Sequence, residues 1–352
     1  MSQLRIRDFG VDIGTLSTGR RNAITDVEGV RVGHCTLREG STQTGVTAIL
    51  PHEGNIFKEK LIASNHIING FGKTMGTVQM NELGTLETPI LLTNTLSIGT
   101  ASEALIEYML ERNPEIGRST GSVNPVVGEC NDMILNDIRS LSIEKKHVLQ
   151  ALEEASSEFT EGSVGAGRGM VCYSLKGGVG SSSRLVELHH GTYTVGVLVL
   201  TNFGRMGDLL VNGRPVGEQL SRHVEVSKEA DKGSVMVVVA TDLPVSERQL
   251  NRIIKRSVTG LARTGSLITT GSGDVVIGFS TAAKVPYKAD TPLLSFQTIH
   301  EEDIDEAFRA VSEATEEAVL NSLITADSVT GRDGNEAQPL RSLLEKYPVS
   351  LL

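Results

Sequence analysis

Short runs of β-branched and other apolar residues are the feature that most limits how this chain can fold. A strand with one face in water alternates apolar and polar residues, whereas a strand covered on both faces is apolar almost throughout. Several of the runs have the second pattern and therefore predict strands buried between two layers. The predicted strands are residues 46–50, 89–93, 170–174, 194–201, 234–240 and 274–280.

Segments with a helical spacing of apolar residues lie between these strands. Ser246 is suited to cap the third such segment, and acidic residues open the fourth, where the helix dipole favours them. Strands and helices are mixed along the chain, and no linker rich in Pro and Ser divides it. The pattern therefore predicts a layered α/β sandwich that forms one domain over residues 1–352. The predicted helices are residues 101–112, 143–157, 247–263 and 302–324.

Composition and charge exclude several classes of protein. The 352 residues are 39 % hydrophobic and 22 % charged, which is typical of a globular protein. No apolar run approaches the roughly 20 residues of a membrane helix, and the first ten residues lack the apolar core of a secretion signal. We therefore expect a cytoplasmic protein with no membrane association. The net charge of −10 is spread along the chain, which argues against a nucleic-acid partner.

Two glycine-rich segments resemble nucleotide-binding loops only superficially. The segment GAGRG at residues 165–169 lacks the full GxGxxG spacing and leads into a strand instead of a helix. The segment KGGVGSSSR at residues 176–184 lacks the pattern of a P-loop, and we interpret it as a tight turn between strands. Neither segment predicts a nucleotide site.

The cysteines and histidines predict no metal or cofactor. Cys35, Cys130 and Cys172 are odd in number and far apart, so buried thiols are a better interpretation than disulfides or a zinc site. No histidine pair has HxH or HExxH spacing. No GxSxG nucleophile elbow is present, although folding can still assemble a Ser–His–Asp triad from distant residues. The scattered histidines include His34, His66, His189 and His190.

The strongest chemical signal is Ser234, which follows Gly233 and begins an apolar run. An ordinary turn into a strand has the same appearance. The arrangement also has a chemical use, because glycine leaves its carbonyl open to attack by the serine hydroxyl, which shifts the acyl group from N to O. Hydrolysis of that ester frees an α-amine, whose reference pKa of about 7.7–8.0 suits it to act as the base for its own hydroxyl.

Eight further segments occur in order along nearly the whole chain. Together they resemble the DmpA-type family of L-aminopeptidase/D-esterases and β-aminopeptidases, which are self-processing hydrolases. Any one segment is weak evidence, but the full ordered set is specific. The segments are GRRNAITDVEGVRVGHCT (19–36), ETPILLTNTLSIG (87–99), PVVGECNDMILND (125–137), KGGVGSSSR (176–184), LTNFG (200–204), GSVMVVVATDLP (233–244), LARTGS (261–266) and GSGDVVIGFSTA (271–282).

This resemblance implies a fold and a processing step. The fold is a four-layer αββα sandwich, similar to that of Ntn hydrolases but with different connectivity. The precursor is cleaved between Gly233 and Ser234, which gives an α subunit of residues 1–233 and a β subunit of residues 234–352. Relatives of this family assemble as homotetramers, so the resemblance also implies a tetramer of cleaved protomers.

The resemblance also implies the roles of individual side chains. Ser234 matches the nucleophile, and Asn202 matches an asparagine that helps to form the oxyanion hole. Ser272 and Asp274 match residues that hydrogen-bond around the nucleophile and its amine. Residues two apart on a strand face the same way, which fits a shared role for this pair. An acid that enters a strand and pairs with a nearby arginine is the alternative for Asp274.

Two positions leave the substrate open. Asn131 stands where the β-aminopeptidases have an active-site tyrosine, so the pocket is expected to differ in shape. Lys176 matches a region where related nylon-oligomer hydrolases use a lysine, and a turn residue that faces solvent is the equal alternative. Both residues are candidates for the oxyanion hole or the pocket.

The expected function is a self-processing aminopeptidase or amidohydrolase that acts on short peptides, amino-acid amides or esters, with no cofactor and no metal. An endo-amidase on linear ω-amino-acid oligomers is the first alternative, and it differs in tolerating a blocked amine. An acyltransferase of the ornithine acetyltransferase type is disfavoured because those enzymes use a threonine nucleophile. A binding protein that has lost cleavage is disfavoured because Gly233, Ser234, Asn202 and the SGD segment are all present.

Overall fold

Fifteen strands form two large sheets and two short hairpins in the computed structural model, which describes residues 3–224, 233–288 and 292–351. In chain order the strands are β1 (Arg31–Glu39), β2 (Thr42–Leu50), β3 (Glu59–Gly70), β4 (Thr74–Met75), β5 (Thr85–Leu86), β6 (Ile90–Asn94), β7 (Val126–Cys130), β8 (Val171–Cys172), β9 (Leu175–Lys176), β10 (Gly178–Leu188), β11 (Gly191–Asn202), β12 (Ser234–Thr241), β13 (Gly273–Pro286), β14 (Val329–Thr330) and β15 (Glu336–Ala337).

Eight α-helices accompany the strands in the described ranges, and none of these helices is both long and apolar enough to cross a bilayer. In chain order they are α1 (Thr77–Leu83), α2 (Ile98–Arg112), α3 (Lys145–Glu153), α4 (Val216–Leu220), α5 (Glu247–Ile254), α6 (Ser257–Arg263), α7 (Ile304–Ile324) and α8 (Leu340–Lys346).

The two large sheets are mixed. The first has the strand order β1-β2-β6-β7-β4, and the second has the order β10-β11-β12-β13-β3-β5. Neighbouring strands are antiparallel except for the pairs β6/β7 and β12/β13, which are parallel. The short hairpins are β8/β9 and β14/β15. Strand β12, which begins at Ser234, therefore lies in the interior of the second sheet.

The sheets stack to give four layers. Helices α2 and α3 cover the outer face of the first sheet, α5 and α7 cover the outer face of the second, and α6 packs on α7. Side chains alternate along β12: Met236 and Val238 join the core between the sheets, whereas Val235, Val237 and Val239 join the core beneath the helices. Burial on both faces explains why this strand is apolar throughout, and the predicted αββα sandwich is confirmed.

Five of the six predicted strands are confirmed, as parts of β2, β6, β11, β12 and β13. The strand predicted at residues 170–174 is wrong beyond its first residues. The chain turns back at Tyr173 and Ser174, whose φ angles are 53° and 58°, and forms the β8/β9 hairpin. A two-residue hairpin loop with positive φ at both positions matches the twist of its strands, so the turn is favourable despite its β-forming residues.

The predicted helices correspond to α2, α3 and α7, and to the pair α5 and α6. Ser246 caps α5 as predicted, since its Oγ accepts the Gln249 N–H at 3.2 Å. A single helix over residues 247–263 is wrong. The chain tightens after Ile254, where the Arg256 N–H bonds to the Ile253 carbonyl three residues earlier, and α6 begins only at Ser257. The three cysteines are buried free thiols, as predicted.

The segment KGGVGSSSR is mostly a strand, and its prediction as a tight turn is wrong. Residues from Gly178 onward form β10, which packs directly under α7. A Cβ atom on Gly180 would lie 2.0 Å from the Ala318 carbonyl oxygen, and the Ser182 hydroxyl donates to the Ala314 carbonyl at 2.7 Å. The small residues are needed because the backbone of the helix approaches the strand closely.

Candidate active site

Ser234 is held at the first position of β12 by both neighbouring strands. Its ladder partner on β11 is Asn202, and its ladder partner on β13 is Gly273. Only 5 % of the residue surface is exposed. The sequence prediction that Ser234 begins a central strand is confirmed.

Two N–H donors converge on the Ser234 hydroxyl. The side-chain Nδ2 of Asn202 lies 3.3 Å from Ser234 Oγ, and the backbone N–H of Asn131 lies 3.4 Å from the same atom. Asn131 directly follows β7 of the first sheet, so the site lies between the two sheets. Both contacts are long for hydrogen bonds, and the two donors together can stabilise a negative oxygen next to Ser234 Oγ.

The amide of Asn202 has a fixed orientation. Its Oδ1 accepts the Val171 N–H at 3.1 Å, and its Nδ2 also donates to the Asn131 carbonyl at 2.9 Å. Rotating the amide by 180° would place its oxygen against a carbonyl and its NH2 group against an N–H donor. The surroundings therefore keep an N–H donor directed at Ser234.

Asn131 contacts Ser234 Oγ through its backbone N–H. Its Oδ1 accepts the Met133 N–H at 3.0 Å, which closes a turn after β7. The backbone N–H of Asn131 is thereby aimed at Ser234. The sequence comparison pointed to this position for its side chain, whereas the structure shows the main chain as the contacting group.

Ser272 and Asp274 form a hydrogen-bonded pair at the start of β13, the strand next to Ser234. The Ser272 hydroxyl donates to Asp274 Oδ1 at 2.6 Å, and both residues are 2 % exposed. They flank Gly273, the ladder partner of Ser234. The prediction that the two side chains share a face is confirmed by this contact.

Gly233 is required by packing. A Cβ atom at this position would lie 2.2 Å from the Asn202 carbonyl oxygen and 2.4 Å from Phe203 Cα. The Gly233 carbonyl oxygen accepts the Gly273 N–H at 3.2 Å. The bond between Gly233 and Ser234 is thus held between two strands, with its carbonyl oxygen already bound to a donor.

Lys176 is fully buried, and its interpretation as a turn residue that faces solvent is wrong. Its ammonium donates to the carbonyls of Gly167, Met170 and Gly177 at 2.7–2.8 Å, which uses all three of its protons. Burial holds the pKa of Lys176 well below its usual value. The lysine therefore secures the segment that carries Val171, the residue that orients Asn202.

Glu129 borders the site and was not identified from the sequence. It is a 4 % exposed residue of β7, and its carboxylate accepts the Lys73 N–H at 2.9 Å and the Thr95 hydroxyl. A Cβ atom on Gly72 would lie 3.5 Å from Glu129 Oε1 and 3.2 Å from Gly273 Cα, so the carboxylate lies close to the ladder partner of Ser234. A charged residue inside the apolar strand VVGEC is the signal that could have identified it.

Cys130 and Asp132 surround Asn131 with buried acidic groups. Burial raises the pKa of the Cys130 thiol well above its usual value, which leaves it protonated beside Ser234. Burial also raises the pKa of Asp132 to about 6. Asp132 Oδ1 accepts the Asn136 Nδ2 at 3.0 Å, and this hydrogen bond partly offsets the effect of burial on the pKa of Asp132.

The raised pKa of Asp132 predicts a pH-dependent loss of stability. The folded chain keeps this carboxyl protonated up to about pH 6, whereas the reference value for the unfolded chain is 3.8. The folded state therefore binds more protons in this window, so the free energy of unfolding falls as the pH rises through it and stays lowered above it. We expect Asp132→Asn to raise the urea midpoint at pH 8 and to have a smaller effect at pH 4.

Asp333 provides the matched control, because its side chain is 77 % exposed. Asp333→Asn should leave the difference between the urea midpoints at pH 4 and pH 8 the same as in the wild type. An equal shift at both pH values in Asp132→Asn would show that the titration of Asp132 is not the cause.

Several known proteins are similar to this chain over almost its entire length. The β-peptidyl aminopeptidase BapA of Sphingosinicella microcystinivorans is 37 % identical over 371 aligned positions, which cover 97 % of this chain and 92 % of that protein. Among solved structures, the PH0078 protein of Pyrococcus horikoshii OT3 is 47 % identical with a TM-score of 0.93, covering 97 % of this chain and 98 % of that one.

A second similar structure is the L-aminopeptidase D-Ala-esterase/amidase of Ochrobactrum anthropi, described as a variant of the Ntn hydrolase fold. It is 35 % identical with a TM-score of 0.89, and the match covers 97 % of this chain and 98 % of that one. The model of peptidase family S58 matches residues 22–337. The fold, the ordered motifs and these matches agree, and the chain therefore belongs to peptidase family S58, the DmpA-type and β-peptidyl aminopeptidases, as a hydrolase with an Ntn-like fold.

Proposed function

We propose that this aminopeptidase cleaves its own chain between Gly233 and Ser234 and then uses Ser234 as an N-terminal nucleophile. The fragments are residues 1–233 and 234–352. The observation that carries the proposal is the position of Ser234, whose hydroxyl lies at the start of a central strand beneath two N–H donors and next to a glycine. Intact-mass spectrometry of the purified protein tests it, and two species with these boundaries are the expected result.

Self-cleavage begins with attack of Ser234 Oγ on the carbonyl carbon of Gly233. The developing negative charge falls on the Gly233 oxygen, which the Gly273 N–H already binds at 3.2 Å. The bond from the Gly233 carbon to the Ser234 nitrogen then breaks, and the nitrogen takes the proton that Oγ gave up, which leaves an ester and the free α-amine of Ser234. Water hydrolyses the ester and releases the Gly233 carboxylate and the Ser234 hydroxyl.

Substrate hydrolysis uses the same hydroxyl but a different set of donors. The freed α-amine of Ser234 accepts the hydroxyl proton while Oγ attacks the substrate carbonyl. Asn202 Nδ2 and the Asn131 N–H hold the resulting oxyanion, since both donors are directed at Ser234 Oγ and the oxyanion forms next to this atom. The proton passes to the leaving amine, and water then releases the acyl group. Ser272 and Asp274 orient the α-amine.

The substrates are short peptides, amino-acid amides or esters that carry a free amine. The names of the similar proteins, β-peptidyl aminopeptidase and L-aminopeptidase D-Ala-esterase/amidase, support this class. The buried carboxylate of Glu129 lies close to Gly273, the ladder partner of Ser234, where a substrate ammonium can pair with it. Asn131 in place of a tyrosine favours small acyl groups. An endo-amidase on ω-amino-acid oligomers is disfavoured, because it needs no ammonium partner.

Glu129→Gln should lower kcat/KM for β-Ala or L-Ala p-nitroanilide by about 10–100-fold, because a buried carboxylate that pairs with an ammonium contributes about 1.5–3 kcal/mol. The rate with an N-acetylated amide should change little, since that substrate has no ammonium. Steady-state kinetics with both substrates measure the ratio of kcat/KM for the free-amine substrate to kcat/KM for the N-acetylated amide.

Glu87 is the matched control, because it is equally buried in the first half of the chain and pairs with Lys60. Glu87→Gln should affect both substrates alike. A wild-type enzyme that prefers the N-acetylated amide would support the endo-amidase alternative instead, and equal losses on both substrates in Glu129→Gln would remove Glu129 from amine recognition.

A further inference from the structure

Three potential metal ligands meet far from Ser234. His189 and His190 form the two-residue turn between β10 and β11, and Asp303 immediately precedes α7. One nitrogen of each histidine and a carboxylate oxygen of Asp303 all lie within 4.8 Å of one another. Asn202 is at the other end of β11, so at roughly 3.3 Å per residue this cluster lies about 35 Å from the nucleophile.

The spacing of these atoms matches an ion better than direct contact. His189 Nδ1 lies 4.0 Å from Asp303 Oδ1, and His190 Nε2 lies 3.9 Å from Asp303 Oδ2. Both distances are too long for hydrogen bonds. Zinc binds nitrogen and oxygen ligands at about 2.0–2.2 Å, so two ligands of a tetrahedral ion are about 3.3–3.6 Å apart. The widest pair needs to close by about 1.4 Å, which the 77 % exposed side chain of His189 can achieve by rotation.

The second nitrogen of His190 is already occupied. His190 Nδ1 lies 2.9 Å from the hydroxyl of Tyr193, a residue fixed in β11. When Nδ1 carries the proton and donates it to Tyr193, the lone pair of Nε2 is directed at the Asp303 side. An outer partner that fixes the tautomer and orientation of a ligating histidine is typical of metal sites. This contact is independent of the spacing of the three ligands.

We propose that His189, His190 and Asp303 bind a divalent transition-metal ion, with zinc as the best match. Two imidazoles and one carboxylate suit Zn²⁺, Ni²⁺ or Cu²⁺, whereas Mg²⁺ and Ca²⁺ favour ligand sets made only of oxygen. Water completes a tetrahedral site. Glu302, Asp305 and Glu306 around the start of α7 add negative charge that attracts a cation.

The ion would join the hairpin end of the second sheet to the helix that covers it. Helix α7 lies across β10 and β11, and Asp303 is the residue from which this helix starts. Linking the turn to the helix start stabilises the folded chain without touching the site at Ser234. The role is structural, so catalysis by Ser234 should not depend on the ion.

Isothermal titration with ZnCl2 and thermal unfolding test the site. We expect one equivalent of Zn²⁺ to bind, and a saturating concentration near 100 times Kd should raise the unfolding midpoint by roughly 3–5 °C. His190→Ala and Asp303→Asn should abolish both effects. Tyr193→Phe should weaken binding about 10–100-fold, because it removes only the outer partner of His190.

His223 provides the control, since it stacks on Tyr347 in another part of the chain. His223→Ala should bind Zn²⁺ like the wild type. Ser234→Ala should also bind Zn²⁺ like the wild type. That result would show that the zinc ligand is not the α-amine that self-cleavage frees at Ser234. Unchanged binding in both His190→Ala and Asp303→Asn, or no binding at about 100 µM Zn²⁺, would overturn the proposal. MgCl2 should produce no shift, and an equal shift with MgCl2 would also contradict it.

Discussion

Ser234→Ala should remain a single chain of 37.7 kDa and should show no amide hydrolysis, whereas the wild type should split into two fragments. Both reactions need a nucleophilic oxygen one bond beyond Cβ, and alanine has none. The loss should be complete within detection, because the remaining donors at Asn202 and Asn131 can bind an oxyanion but cannot attack. Intact-mass spectrometry and a p-nitroanilide assay on the same sample measure both effects.

Ser257 offers a matched control for this substitution. It is a fully buried serine at the start of α6, and its hydroxyl has no hydrogen-bond partner within the part of the chain that the structure describes. Ser257→Ala should therefore cleave and hydrolyse like the wild type. Ser234→Thr and Ser234→Cys keep a nucleophile and should cleave more slowly. An uncleaved wild-type chain that hydrolyses amides at full rate would overturn the N-terminal nucleophile mechanism.

The layered architecture was predictable because a strand that is buried on both faces has an almost entirely apolar sequence. In β12 the side chains of Met236 and Val237 enter different cores, and polar residues stand only at the two ends of the strand, Ser234 and Thr241. The interpretation of β10 was wrong, because small residues in a sequence can have more than one structural cause. The small residues of β10 resemble a turn, although they are small because α7 approaches them.

The grouping of the site residues was less accessible from the sequence. Asn202 faces Ser234 only through the register of β11 against β12, which is set by long-range pairing. The Asn131 contact comes from a backbone N–H, which every residue except proline supplies, so the residue type at 131 carries no signal for it. His190 and Asp303 are likewise brought together only by folding. Family resemblance identified Ser234 and Asn202, but the residue types did not specify these contacts.

Asn202→Ala should separate the two reactions of Ser234. Self-cleavage should continue, because the oxygen that becomes negative belongs to Gly233 and is bound by the Gly273 N–H. Hydrolysis of amides should fall by about 10²–10³-fold in kcat, the usual cost of removing one oxyanion donor. Mass spectrometry of the cleaved fraction over time after expression measures self-cleavage. The kcat of the fully cleaved protein measures amide hydrolysis.

Asn65 is the control for loss of a buried amide, since it lies on β3 of the same sheet and donates to the Thr77 carbonyl at 3.1 Å. Asn65→Ala should lower stability and leave kcat unchanged. Asn202→Asp keeps an oxygen for the Val171 N–H but removes the donor, so it should lose hydrolysis as Asn202→Ala does. If Asn202→Ala blocks self-cleavage to the same degree as hydrolysis, both reactions share one oxyanion site and the Gly273 N–H is not the donor for processing. If only hydrolysis is lost, two sets of donors serve one hydroxyl, and the chain can mature before its substrate site is complete.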